Sequence, residues 1–327
     1  MSTERIERIL NSGFRAVLVT TGGGSSALNA LLTTPGASRF VVEANIPYSP
    51  ESLERFLGET PGQSVSPETA SKLAGKAFGS ATDIVESALR ADLRSESARY
   101  TNSRCIGIAC SAALQTDRER RGEDRAFICI KTTATEKLYA LYFSKTSRAE
   151  QESLLSDWLL ILIAQAVGAE RGLMLPGSFN PVHQGHLNLL KAAEEQTGLR
   201  GVFELSCANV DKPAIEEADA LRRASAIKDI PVALTHVPRF IQKAFLFHQT
   251  AFVVGFDTSV RFIRDYTSDD WKKFQALGVC FLVAGRQQGG AFQTLENLNL
   301  PAGFEGLFAP IPEAKFREDI SSTVLRG

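Results

Sequence analysis

Ten residues, Gly177-Ser178-Phe179-Asn180-Pro181-Val182-His183-Gln184-Gly185-His186, stand between two apolar runs of different kind. Before them, Leu173-Met174-Leu175 is short enough for a buried strand. After them, Leu187-Asn188-Leu189-Leu190-Lys191-Ala192-Ala193 carries one apolar helical face. A strand that turns into a helix through a polar loop implies an open parallel α/β sheet. The ligand crevice of such a sheet lies at this kind of junction. A helix start also offers unpaired N–H groups and the positive end of the dipole, which attract phosphate.

The spacing inside the stretch has a chemical reading. Gly177 and Ser178 let the backbone turn tightly off the strand and approach a ligand. Pro181 fixes the turn. His183 and His186 are three apart and share a face once the helix begins. Gly185 between them leaves room for a nucleotide. Two imidazole donors aimed at one point suit a triphosphate whose charge shifts during displacement at phosphorus. No side-chain nucleophile is needed, because positioning and electrostatics suffice when both substrates are bound.

His183-Gln184-Gly185-His186 resembles the HxGH signature of the nucleotidylyltransferase superfamily. The longer Gly-Ser-Phe-Asn-Pro-Val-His-x-Gly-His wording is most similar to nicotinamide or nicotinate mononucleotide adenylyltransferases. The bland alternative is a helix start with solvated histidines.

At 327 residues the chain is long enough for two domains, each with its own core. Lys and Arg number 36 against 37 Asp and Glu, so no broad nucleic-acid footprint is expected. The five cysteines, Cys105, Cys110, Cys129, Cys207 and Cys280, lie mostly in apolar runs. They read as reduced core thiols and not as a disulfide framework or metal cluster. The N-terminal residues carry no apolar signal core, and the run from Trp158 to Val167 is too short to span a bilayer. A cytoplasmic protein without a membrane partner is expected.

In the first half, Ala16-Val17-Leu18-Val19 reads as a strand and Ala27 to Leu32 as a helix. Between them lies Thr20-Thr21-Gly22-Gly23-Gly24-Ser25-Ser26. The loop Thr21, Gly22, Gly23, Gly24 and Ser25 reads either as an anion nest for phosphate or as a tight turn that brings the helix close to the sheet. Pro47-Tyr48-Ser49-Pro50 reads as a turn. Ser66-Pro67-Glu68 is a good helix start. Strands are expected at 105–109, 127–130 and 138–143, and a helix from Ser147 to Val167.

Residues 14–168 resemble the C-terminal domain of the competence-damage protein CinA, the fold of nicotinamide mononucleotide deamidase. The resemblance rests on the glycine loop, Pro35-Gly36-Ala37-Ser38, Tyr48-Ser49, Val65-Ser66-Pro67-Glu68 and Gly107-Ile108-Ala109. Three departures count against an active amidase. The family's serine nucleophile before the glycine loop is replaced by Thr20-Thr21. Its lysine after the Tyr-Ser turn becomes Leu53. Its later Gly-Pro-Gly-Gly loop becomes Cys110-Ser111-Ala112-Ala113. Thr21 or Ser25 would have to act as nucleophile, and no partner base is evident. The expected organisation is a CinA-like α/β domain over 1–168, without amidase activity, and a nucleotidylyltransferase domain over 169–327. The first domain is a candidate for homo-oligomer contacts.

The second half alternates strands with helices, with strands expected near 202–206, 232–234, 251–254, 279–283 and 306–308. This predicts a doubly wound parallel sheet of Rossmann-like form. The resemblance then assigns the remaining chemistry. It implies that Lys212, after the first of these strands, approaches the triphosphate or the mononucleotide; the alternative is a surface lysine. Gly255-Phe256-Asp257-Thr258 is similar to the family's Gly-x-Asp-Thr element, in which backbone and carboxylate hold a ribose or the substrate. Asp257 also reads as a helix N-cap. Arg239 and Phe240 border the expected acceptor pocket, where Phe240 either stacks on a base or packs in the core. Trp271 is expected to flank that pocket. Ile320-Ser321-Ser322-Thr323-Val324-Leu325-Arg326 resembles the family's second signature. It implies that Ser321, Ser322 and Thr323 grip phosphate oxygens and that Arg326 adds a charge-assisted clamp.

The resemblance as a whole implies adenylyl transfer from ATP, with Mg²⁺, to NMN or nicotinate mononucleotide, and release of pyrophosphate. In that chemistry His183 and His186 stabilise the transferring phosphates, while Gly177, Ser178, Phe179, Asn180 and Gly185 form the nucleotide loop. Four alternatives stay open: a CTP donor, another phosphorylated acceptor, a bifunctional deamidase and adenylyltransferase, or a nucleotide-binding regulator without turnover.

Overall fold

The structure is a computed structural model that describes residues 2–95, 104–117, 122–208, 214–288 and 291–317. The chain divides into two compact units, Met1–Glu170 and Arg171–Gly327. Lys212, Ser321, Ser322, Thr323 and Arg326 lie outside the described residues.

The first unit is built on α1 (Thr3–Leu10), β1 (Phe14–Thr21), α2 (Ser25–Thr33), β2 (Val41–Asn45), α3 (Pro50–Leu57), α4 (Pro67–Ser95), β3 (Arg104–Ala113), β4 (Arg125–Lys131), β5 (Glu136–Tyr142) and α5 (Arg148–Ala166). Its strands run in the order β5-β4-β3-β1-β2. The β1–β2 and β1–β3 pairs are parallel, and β3–β4 and β4–β5 are antiparallel. Helix α4 lies against β3 so closely that a Cβ at Gly107 would sit 2.3 Å from the Ala74 carbonyl oxygen. Ser66 caps α4 by accepting the Thr69 N–H, as its sequence predicts. Ser147 and Glu150 form a reciprocal capping box at the start of α5. Beyond its first turns α5 is apolar all round, and Trp158 to Ala164 are all buried. No described helix is long and apolar enough to cross a membrane.

The second unit contains β6 (Gly172–Pro176), α6 (Gln184–Thr197), β7 (Gly201–Ser206), α7 (Glu217–Ser225), β8 (Val232–Thr235), α8 (Phe240–Leu246), β9 (Thr250–Gly255), α9 (Phe256–Asp265), α10 (Ser268–Ala276), β10 (Cys280–Ala284), the hairpin β11 (Arg286–Gln288) and β12 (Ala291–Gln293), and β13 (Phe308–Ile311). The strand order β13-β10-β9-β6-β7-β8 is parallel throughout. Successive strands build outward from β6 to β8, then return to the other side of β6 with β9. This is the doubly wound arrangement, and β6 and β9 flank its switch point. The expected last strand at 306–308 shifts: Glu305–Leu307 is a single 3-10 turn, and the strand follows it.

An aromatic core fills the β9–β10–β13 side. Phe262 and Phe281 rings lie 4.8 Å apart between centroids, and Trp271 and Phe308 lie 5.5 Å apart. Such tilted pairs add to area burial. Trp271 is 2% exposed, so its expected place at the pocket edge is corrected: its ring fills this core. Phe240 meets Phe252, Phe262 and Phe281 at 5.3–5.9 Å, which is the core alternative for that residue.

Candidate active site

The loop after β6 is held from three sides. The Gly177 N–H donates to the Glu204 carbonyl at 2.9 Å, tying the loop to β7. A Cβ on Gly177 would lie 2.6 Å from the Phe179 ring, so only glycine fits there. Phe179 itself, at φ 44°, turns its ring inward between His186 and Phe203, at 5.2 and 5.0 Å. The ring is 2% exposed. Its part in the site is therefore to seat His186 from below, in place of direct nucleotide contact. The third restraint is Arg223 from α7, which donates from Nη1 to the Ser178 carbonyl at 2.9 Å and from Nη2 to Asp219 at 2.6 Å. Ser178 is exposed and Asn180 half-buried on the rim of the loop.

His183 is the N-cap of α6 and Gly185 is buried in its first turn. The two imidazole rings lie 3.8 Å apart between centroids and 33° from coplanar. The His183 backbone N–H donates to His186 Nδ1 at 3.2 Å. That bond requires a bare Nδ1, so the neutral His186 ring carries its proton on Nε2. Burial, and secondarily the His183 charge, lower the His186 pKa to about 4. The ring is neutral at pH 7 and offers one fixed N–H donor at a helix N-terminus. Such a donor can stabilise charge on phosphate oxygens without giving up its proton.

On the far side of the switch point, β9 ends at Gly255. Gly255, and not Asp257, is the N-cap of α9. This corrects the capping alternative for Asp257, which is the second residue of the helix, in its first turn. Asp257 is bound by Arg286, which follows β10. A Cβ at Gly255 would meet nothing within 4 Å, so the space beside it is open. Arg239 is the exposed N-cap of α8, where its N–H donates to Gln242 Oε1 at 3.1 Å. Among the described residues no group of three His, Cys, Asp or Glu could hold a metal ion.

Sequence reading missed Arg223, Arg286 and the pair Glu204–Lys243. Lys243 Nζ lies 2.6 Å from Glu204 Oε1, with side chains 5% and 1% exposed. The Thr235 hydroxyl donates to the same carboxylate oxygen at 2.5 Å. Glu204 is thus bonded through its side chain to α8 and β8 and through its backbone to the signature loop. A charged residue in the apolar strand Val202-Phe203-Glu204-Leu205 was the available signal.

In the first unit the glycine loop follows β1 as expected, but a carboxylate from α5 already sits on it. The Gly24 N–H donates to Glu152 Oε2 at 2.7 Å and the Ser26 N–H to Glu152 Oε1 at 2.9 Å. The Ser25 hydroxyl reaches the same carboxylate at 3.2 Å. A Cβ at Gly22, with φ 76°, would overlap the Ala112 carbonyl at 1.8 Å. The phosphate-nest reading of Thr21 to Ser25 is corrected accordingly: an internal carboxylate from α5 fills the nest, and the glycines allow close approach to β3.

This parallel sheet, with paired histidines at the helix start beside its switch point, is an open doubly wound α/β domain. Residues 174–327 match the model of the cytidylyltransferase-like family. The N-terminal half matches solved structures of CinA proteins. The competence or damage-inducible protein from Enterobacter asburiae is 15% identical over 51% of this chain and 94% of that one, with a TM-score of 0.36. CihA from Agrobacterium tumefaciens is 16% identical over 51% and 94%, with a TM-score of 0.39. The comparison with curated proteins gave no match.

Proposed function

We propose that the second unit is a nucleotidylyltransferase that joins a pyridine mononucleotide, NMN or nicotinate mononucleotide, to the AMP part of ATP and releases pyrophosphate. This would be a cytoplasmic step in dinucleotide synthesis. The observation that carries the reading is the neutral His186 Nε2 donor, fixed beside His183 at the start of α6. A phosphate oxygen of the acceptor attacks the α-phosphorus in line, and pyrophosphate leaves with the bond electrons. His186 and His183 donate hydrogen bonds to the oxygens on which charge builds. Ser178 and Asn180 position phosphate groups from the loop rim. Gly255 offers a close backbone approach for the adenosine. Lys212, Ser321, Ser322, Thr323 and Arg326 complete the phosphate clamp in this reading. Mg²⁺ arrives with the triphosphate, since the described residues provide no metal cage of their own.

The family description favours keeping CTP as the competing donor. The Glu152 carboxylate inside the first unit's glycine loop favours a structural role for that loop over amide hydrolysis.

The test is pyrophosphate release by the full chain with Mg²⁺, crossing ATP and CTP with NMN, nicotinate mononucleotide, phosphopantetheine and no acceptor. The expected result is release that needs ATP and a pyridine mononucleotide and falls ~10²–10³-fold in His186→Ala. Release with CTP alone would move the donor. Ammonia from NMN would restore the bifunctional alternative. Nucleotide binding without release under any pairing would leave a regulator.

A further inference from the structure

Helix α4 buries one face under the first unit's sheet and leaves the other bare. On the inner face Leu73, Ala74, Ala77, Ala81 and Val85 are all 3% exposed or less. On the outer face Gly75 and Gly79 floor an open cleft of about 600 Å³, beside the end of α3. A Cβ at either glycine would meet nothing within 4 Å, so neither is required by the fold of this chain. Ile84, on the cleft wall, is 40% exposed. Two interior glycines lower the intrinsic stability of an exposed helix relative to alanine.

The charges along this face have a symmetry centred on Gly79. The outward positions 68, 72, 75, 79, 83, 86 and 90 are spaced the same way read from either end. Laying a second α4 antiparallel across the first, with Gly79 opposite Gly79, sets Glu68 against Arg90 and Lys72 against Glu86. It also sets Asp83 against Gly75, next to Lys76. Each cation then meets a carboxylate. A parallel pairing would instead set like against like at each position. The glycines at the centre let the two backbones approach closely, as interaxial distance follows the side chains at the contact. Present partners are no obstacle: Lys72 to Glu59 and Glu68 and Arg90 to Glu86 are surface pairs with side chains 42–76% exposed. Such pairs are weak and can be shared with a neighbour.

We infer that the outer face of α4 is a two-fold interface with a second copy of this chain, built on antiparallel α4 helices crossing at Gly79. The interface is isologous, so each copy supplies both the basic and the acidic half. From Glu68 to Arg90 the contact runs about 33 Å along the helix.

Sedimentation of the full chain, with two charge-reversed variants, tests this. Wild type is expected as a dimer. Lys72→Glu with Lys76→Glu makes the face uniformly acidic in its centre, and Asp83→Lys with Glu86→Lys makes it basic. Each variant is expected as a monomer alone, and an equimolar mixture as a heterodimer, which also shows that both fold. Independently, Gly79→Cys is expected to cross-link to a disulfide dimer under mild oxidation, where wild type does not. A monomeric wild type would overturn the inference. So would a dimer indifferent to both reversals, or variants that stay monomeric when mixed while Gly79→Cys fails to cross-link.

Discussion

At the scale of the residue, the site depends on atoms that fix one another. Arg223 grips the Ser178 carbonyl with a planar fork that lysine cannot reproduce. Arg223→Lys is expected to lower kcat about tenfold to a hundredfold, because the loop shifts against the phosphates, with ATP affinity changed far less. Steady-state kinetics beside direct ATP titration separates the two effects. His186 supplies a pH signature. Its folded pKa of about 4 lies below the ordinary 6.5, so folding favours the neutral ring. The corresponding stability is present above 6.5 and lost as pH falls towards 4. Denaturation midpoints of wild type and His186→Asn, compared from pH 7 to pH 4, should converge or cross as the acid end is reached; a constant gap would contradict the assignment. The histidine pair and its place at a helix start were legible because four residues of sequence carry them. Arg223 was not, since nothing local in Arg222-Arg223 tells which guanidinium turns towards Ser178. Trp271 was misread because an isolated aromatic in sequence does not reveal the five rings that surround it.

At the scale of the element, capping decides where helices begin, and the carboxylate that caps α2 makes a prediction. Glu152 satisfies two N–H groups at the start of α2 from a different helix. Glu152→Ala should cost about 0.5–2 kcal/mol, the range of a lost N-cap, measured by denaturant unfolding. An unchanged midpoint would mean that water replaces the carboxylate without loss. The buried pair Glu204–Lys243 makes a stronger prediction. Lys243→Met leaves a carboxylate buried beside only Thr235 and should cost ~3–5 kcal/mol, whereas Glu204→Gln with Lys243→Met should recover much of it. If the double variant is no better than the single, the pair is not the coupled unit described. Long elements with a continuous apolar face, α4 and α5, were legible from spacing and cap residues alone. Some short ones were not. Helix α3 begins at Ser49-Pro50-Glu51, the same signal that opens α4, but buries only Leu53 and Leu57, too little pattern to separate it from a turn. Helix α10 buries only Trp271 and Phe274, and the β11–β12 hairpin has three-residue strands that carry no period.

At the scale of the whole molecule, the chain joins an α/β unit with a mixed sheet to a doubly wound parallel one. The alternation of apolar runs made the parallel sheet legible, since a strand buried on both faces reads as a continuous apolar run. The filled glycine loop was not, because Glu152 lies 128 residues from Gly24 and no local pattern joins them. The near-zero net charge of −1 fits small-molecule substrates over a polyanion. The central claim is that the second unit transfers an adenylyl group to a pyridine mononucleotide. Its most direct measurement is the identity and stoichiometry of the products when the full chain meets ATP, Mg²⁺ and NMN or nicotinate mononucleotide, read by mass. The account predicts a dinucleotide that appears one for one with pyrophosphate and is absent with His186→Ala. Pyrophosphate without the dinucleotide, or no product from either acceptor, would contradict it.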